Sequence, residues 1–193
     1  MRGFGSDNQA GVHPEIFKAL SEANVGHAPS YDTDQWSEKT AKIFEKHFGP
    51  CLVSYVFNGT AANVLALRAI AKPYQAIFCS DISHVNNDEC GAPEYFTGAK
   101  LRPLPTVNGK ITLAALKESL VRKGDQHFSQ AGAVSLTQPT EYGTCYTVAE
   151  IKAICQWAHA NNIYVHVDGA RLANAVLHLQ TSFKAMLADT GVD

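Results

Sequence analysis

Ile163-Tyr164-Val165-His166-Val167-Asp168-Gly169-Ala170-Arg171 reads as a strand that runs into an acid and then turns. Isoleucine, tyrosine and valine suit a buried, pleated surface, and Asp-Gly punctuates its end. Strand alternation puts His166 and Asp168 on one face and Val167 on the other. The stretch before it has a different period. Thr147 and Glu150 form a T-x-x-E capping box. Ile151, Ile154, Cys155 and Ala158 then follow at helical spacing, a stripe that faces a core.

The same alternation extends outward in both directions. Ala76–Cys79, Leu101–Leu104 and Ala133–Thr137 read as short strands, and Thr112 opens a helix with Leu113, Leu116 and Leu120 on one side. Leu52-Val53-Ser54-Tyr55-Val56-Phe57 reads as a further buried strand, turned by Asn58-Gly59-Thr60 into a helix from Ala61 to about Ala71. Upstream, one helix is expected from Pro14 toward Ala23 and another over Trp36–Phe48, stopped by Gly49-Pro50. Ser182–Leu187 reads as helix near the other end. Two helices followed by repeated strand–helix units predict an α/β fold, with a mostly parallel sheet and helices on both faces. Ligands of such sheets collect outside the carboxyl ends of the strands. Gly59-Thr60 and Asp168 both fall there.

Bulk properties narrow the classes. The 193 residues are 46% hydrophobic and 18% charged, enough apolar material for a core. A formal net charge of −2, with no basic stripe, argues against a nucleic-acid partner. No apolar run reaches the length of a membrane span and no signal-peptide pattern follows Met1, so the chain reads as cytoplasmic. The five cysteines are scattered and never spaced C-x-x-C, which predicts buried or half-buried thiols rather than disulfides, zinc ligands or a nucleophile.

Three places carry chemistry. At Asn58-Gly59-Thr60-Ala61-Ala62-Asn63 a glycine lets an anion approach the backbone, and the helix start offers unpaired N–H groups. A phosphate ester held by Gly59 and Thr60 is one reading; a glycine turn with Thr60 as the helix cap is the other. At the end of the last strand, Asp168 needs a positive partner or several donors. A protonated pyridine nitrogen would serve, with Arg171 gripping a substrate carboxylate. A local Asp168–Arg171 pair would serve equally, and His166 with Asp168 on a metal is a third reading, without a further ligand at suitable spacing. Finally, His84 in Ser80-Asp81-Ile82-Ser83-His84 is placed to stack on an aromatic cofactor or act as a base, or is an ordinary loop histidine. The same alternatives hold for His127.

Taken together, these segments resemble the threonine aldolase / aromatic amino acid β-eliminating lyase family of fold-type I pyridoxal-phosphate (PLP) enzymes. The resemblance rests on Ser6-Asp7-Asn8, His13-Pro14-Glu15, Ala23-Asn24-Val25-Gly26, Gly59-Thr60-Ala61-Ala62-Asn63, Ser83-His84, Asp88-Glu89-Cys90-Gly91-Ala92-Pro93-Glu94 and Asp168-Gly169-Ala170-Arg171, in order. It implies PLP as cofactor, its phosphate on Gly59 and Thr60, His84 stacked on the ring and Asp168 on the ring nitrogen. Arg171 and Ser6 would bind the amino acid's carboxylate, and His127 would lie near its β-hydroxyl. Tyr31 would reach the site of a neighbouring subunit, implying a homodimer or homotetramer with shared sites. No metal is implied. The activity implied is that of an aldehyde-lyase cleaving β-hydroxy-α-amino acids, threonine to glycine and acetaldehyde. β-Elimination or transamination on the same scaffold is the nearest rival, and a non-catalytic truncated homologue is a rival of another class.

Departures accompany the match. Tyr31-Asp32-Thr33-Asp34 stands where the family has Y-G-[DE]-D, so a different backbone is expected there. Ser135-Leu136-Thr137-Gln138-Pro139-Thr140-Glu141 replaces the commoner S-L-E-N-T. None of the eleven lysines occupies the Schiff-base position, which in the family follows a short strand beginning near Val192-Asp193. The reading is therefore of an arm and first helix over residues 1–30 and a partial PLP-binding large domain over 31–193. That domain is expected to be truncated before the catalytic lysine and the C-terminal small domain, and to be inactive alone.

Overall fold

Several helix starts in this chain are set by local capping, and the computed structural model, which describes residues 9–193, shows the devices. Helix α1 (Pro14–Ala23) has proline in its first turn, and the His13 side chain accepts from the Glu15 N–H. Helix α2 (Gln35–Phe48) follows Asp34, whose carboxylate accepts from the Trp36 and Ser37 N–H groups at 2.8 and 3.0 Å. Between them Tyr31 and Asp32 take left-handed φ values of 61° and 60°. Aspartate tolerates that region better than most residues. The chain separates into two compact units at Glu45/Lys46, within α2.

The second unit is built on four parallel strands, β1 (Gln75–Ser80), β2 (Lys100–Leu104), β3 (Gln130–Thr137) and β4 (Tyr164–Asp168), in the spatial order β2-β1-β3-β4. Parallel neighbours cannot be joined by a tight turn, so each connection crosses a face of the sheet. Helix α3 (Gly59–Ile70) precedes β1; α4 (His84–Asn87) and α5 (Ala92–Thr97) lead to β2. Helix α6 (Leu113–Ser119) leads to β3, α7 (Val148–Ala160) to β4, and α8 (Leu172–His178) and α9 (Phe183–Met186) follow.

Strand alternation sorts these helices into two layers. Phe78, Val134, Leu136 and Val165 point into a core shared with Leu116 of α6, the Ile151/Ile154/Cys155/Ala158 stripe of α7, Leu172 of α8 and Met186 of α9. Ile77, Cys79, Leu101 and Ala133 face the other way, onto Leu67 and Ala71 at the end of α3 and Val85 of α4. The expected box is present: Thr147 accepts from the Glu150 N–H while the Glu150 carboxylate accepts from the Thr147 N–H.

Two expectations fail. Residues 52–57 form no strand; Leu52 and Phe57 are fully exposed, because apolar composition cannot make a strand without a neighbouring backbone to pair with. Cys51 and Cys90 are exposed rather than half-buried, whereas Cys79 and Cys155 are buried and Cys145 lies between.

The stripe and the cap make different contributions. Ile151→Ala should lower unfolding free energy by about 2–5 kcal/mol through the cavity it leaves, and Thr147→Ala by about 1 kcal/mol. Urea unfolding would show both as shifts of midpoint at unchanged slope. Equal losses would contradict the packing described.

Candidate active site

In the order β2-β1-β3-β4 the connection after β1 runs one way and β3 lies the other way, so a crevice opens beyond the carboxyl ends of β1 and β3. The turn after β1 is closed by Ser83 Oγ donating to the Ser80 carbonyl at 2.7 Å and Asn87 donating to the Asp81 carbonyl at 2.8 Å. That turn delivers His84 as the first residue of α4. After β3, the buried Gln138 amide pairs in both directions with the Tyr146 backbone, at 2.8 and 2.9 Å, and fixes the following loop. Glu141 then reaches back across the crevice and accepts from the His84 N–H at 3.2 Å.

Helix α3 enters from the opposite layer. Its cap is Asn58, whose side chain accepts from the Ala61 N–H at 2.9 Å, so Thr60 is not the cap and its hydroxyl is not spent on that role. A side-chain carbon added at Gly59 would meet nothing within 4 Å, leaving an open approach to the first amides of the helix. One turn on, the buried Asn63 donates to Glu89 Oε1 at 2.7 Å and to Asp168 Oδ2 at 3.3 Å. The other Asp168 oxygen accepts from the Ala170 N–H at 3.1 Å. The start of α3 and the end of β4 are therefore held together by a single amide.

His84 Nδ1 lies 2.9 Å from Glu89 Oε1; the glutamate side chain is fully buried while the histidine is 48% exposed. Arg171 donates to the Pro139 carbonyl at 3.0 Å and lies 3.7 Å from Glu141 Oε1. Its acidic partner is thus Glu141, and the local Asp168–Arg171 pair is not formed among the described residues. Glu89 Oε2 and Glu141 Oε2 are buried without a hydrogen-bond partner. Beneath them, His166 Nδ1 and Ser135 Oγ are 2.9 Å apart on paired residues of β4 and β3. His166 is half-buried by area, yet the atoms packed round its ring leave the charged form little water, and this pushes its pKa down to about 4 against the opposing pull of Asp168. Among the described residues no three His, Cys, Asp or Glu side chains gather as metal ligands do.

The sequence candidates separate accordingly. His84, Asp168 and Arg171 share one rim with the α3 start that carries Gly59 and Thr60. His127 does not join them within the chain: it is exposed on the turn before β3, and the eight residues of β3 put about 25 Å between the two strand ends. Tyr31 is 94% exposed in the first unit. Ser6 lies outside the described residues. Asn63, Glu89 and Glu141 carry contacts that sequence reasoning did not assign. Asn63 had a usable signal, one helical turn after Gly59; a buried glutamate has none, since Glu89 reads as one more polar loop residue.

A profile of the beta-eliminating lyases matches residues 3–193. The chain belongs to the beta-eliminating lyase family. The low specificity L-threonine aldolase of Pseudomonas aeruginosa is 42% identical over 192 residues, 98% of this chain and 56% of that protein. That of Pseudomonas sp. NCIMB 10558 is 40% identical over the same shares. The Leishmania major threonine aldolase structure superposes with a TM-score of 0.81 at 28% identity, covering 86% of this chain and 49% of that one. The chain thus spans about half the length of the curated relatives it matches, and its parallel sheet with flanking helices is the fold of that structure.

For this member of the family the neutral His166 has a consequence for stability. As pH falls from about 6.5 toward about 4, the unfolded chain binds a proton that the folded chain refuses. Stability should drop across that window by up to about 1.4 kcal/mol per pH unit. Urea midpoints measured through it should fall steeply for the wild type and less steeply for His166→Gln. Parallel curves would remove His166 as the cause.

Proposed function

We propose that the full-length protein is a PLP-dependent aldehyde-lyase that cleaves β-hydroxy-α-amino acids, with threonine giving glycine and acetaldehyde. The observation that carries this is the Asn63–Asp168 hydrogen bond, which joins a glycine-led helix start to a strand-end carboxylate. A phosphate and an aromatic ring nitrogen on one small molecule need those two features at one place. The donor set fits PLP: Gly59 leaves the first amides of α3 open, Thr60 adds a hydroxyl, and Asp168 presents an acceptor held by its own neighbours.

When bound, PLP supplies the electron sink for the charge left on Cα as the Cα–Cβ bond breaks. The chain's own residues do the rest. Asp168 would hold the protonated ring nitrogen and His84 would lie against the ring. Arg171 holds the substrate carboxylate through its planar donor fork, with Glu141 and the Pro139 carbonyl setting its direction. His84, or a water it orients, takes the β-hydroxyl proton. The homology to named threonine aldolases favours aldol cleavage over β-elimination or transamination on the same scaffold. A homodimer or homotetramer, cytoplasmic, with Ser6 on the substrate carboxylate, His127 near the β-hydroxyl and Tyr31 contributed by a neighbouring subunit, completes this reading.

The test is product analysis on the full-length, PLP-loaded protein. Threonine should yield glycine and acetaldehyde, and Asp168→Asn should lower kcat by about a hundredfold or more, ~3 kcal/mol. Pyruvate and ammonia from serine, without aldehyde from threonine, would assign β-elimination instead. Activity of Asp168→Asn within about threefold of wild type would remove Asp168 from the ring-nitrogen role, because lost charge stabilisation of this kind costs far more.

A further inference from the structure

We infer that Glu89 is a positioning residue that fixes the His84 ring with its proton on Nδ1 and, through the Asn63 amide, ties that ring to the Asp168 carboxylate. The purpose of this device rests on the active-site reading above; its geometry does not.

Glu89 lies between α4 and α5 with its side chain wholly out of water. A carboxylate so buried is costly unless donors surround it. Two nitrogens converge on the same oxygen, Asn63 Nδ2 at 2.7 Å and His84 Nδ1 at 2.9 Å, while Oε2 is buried and unpartnered among the described residues. One oxygen overused and the other unused is a poor arrangement for stability. It is a good one for direction, because it draws two side chains to a single point.

An ionised carboxylate only accepts. Nδ1 must then donate, and which ring nitrogen holds the proton is set by this bond. The neutral ring is left with its lone pair on Nε2, the nitrogen that Glu89 does not hold, on a side chain that is half-exposed. That is the state a base needs. The alternative, a protonated Glu89 donating to Nδ1, would put the ring proton on Nε2 and leave no lone pair facing the site.

Asn63 extends the control. Its amide has two hydrogens, and the two acceptors within reach are Glu89 Oε1 and Asp168 Oδ2. The ring His84 and the carboxylate Asp168 are thereby referred to one buried anchor. The remaining charged neighbours act elsewhere: Glu141 accepts from the His84 backbone N–H, and Arg171 lies against Glu141.

The experiment is a long-range proton–nitrogen correlation spectrum of the full-length protein, labelled with nitrogen-15 at histidine and recorded at alkaline pH. The His84 signals are assigned by their loss in His84→Asn. The wild type should show the Nδ1–H tautomer. In Glu89→Gln the side-chain NH2 can face Nδ1, and the population should move toward Nε2–H. In the PLP-loaded enzyme the same variant should lose about ten- to a hundredfold in kcat, as supporting groups around a site do, with KM for threonine within about twofold. An Nε2–H wild type, or an unchanged tautomer in Glu89→Gln, overturns the inference. Should Glu89→Gln not fold, the wild-type tautomer decides alone, Nδ1–H in favour and Nε2–H against. A tautomer that responds to Glu89 in a protein that does not cleave threonine would sustain the inference and reject the aldolase reading.

Discussion

Parallel strands can be joined only by crossing a face of the sheet, and this constraint places every strand's carboxyl end on one rim. Because β1 sits inside the order β2-β1-β3-β4, its own connection leads to β2 on one side while β3 pairs on the other, and the rim parts between β1 and β3. His84 follows β1, Glu141 follows β3 and Asp168 ends β4, so three groups far apart in the chain meet without any one of them having to choose its neighbours. Asn63 and Asp168 are 105 positions apart and share a hydrogen bond. The sheet does the gathering; the side chains only finish it.

What the sequence disclosed follows from the range of the forces involved. Capping is local, so Thr147 with Glu150 and the proline at the head of α1 could be read directly, as could the α7 stripe, whose spacing reports a buried face. The glycine-led turn at Gly59 and the acid ending β4 were legible for the same reason. Cap identity at α3 was not: Asn58 and Thr60 are both competent, and only the backbone geometry selects Asn58. Pairing is long-range, which is why Leu52–Phe57 looked like a strand and is not one. Glu89 was opaque because the same residue serves equally well on a surface; only the fold puts it under α3.

The electrostatic character of the rim differs from what a list of its residues suggests. Asp168 and Arg171 stand three positions apart with opposite charges, yet each is taken by a group from another element, Asp168 by Asn63 and Arg171 by Pro139 and Glu141. The S-L-T-Q-P-T-E segment, where the chain departs from the family's commoner pattern, supplies both partners of the arginine.

The two layers of the sheet are joined to it by different kinds of contact. On the α7 side the join is broad and mostly apolar, with the buried Gln138–Tyr146 pairing within it; on the α3 side a smaller apolar patch is supplemented by the Asn63–Asp168 hydrogen bond to the end of β4. Apolar packing accepts a substitute of similar volume, whereas a buried hydrogen bond accepts almost none without stranding its partner. Mutational drift is thus freest at the apolar positions of either face. Those positions can be rewritten residue by residue as the lineage diverges, while Gln138 with Tyr146 on one side and Asn63 with Asp168 on the other must change together or not at all.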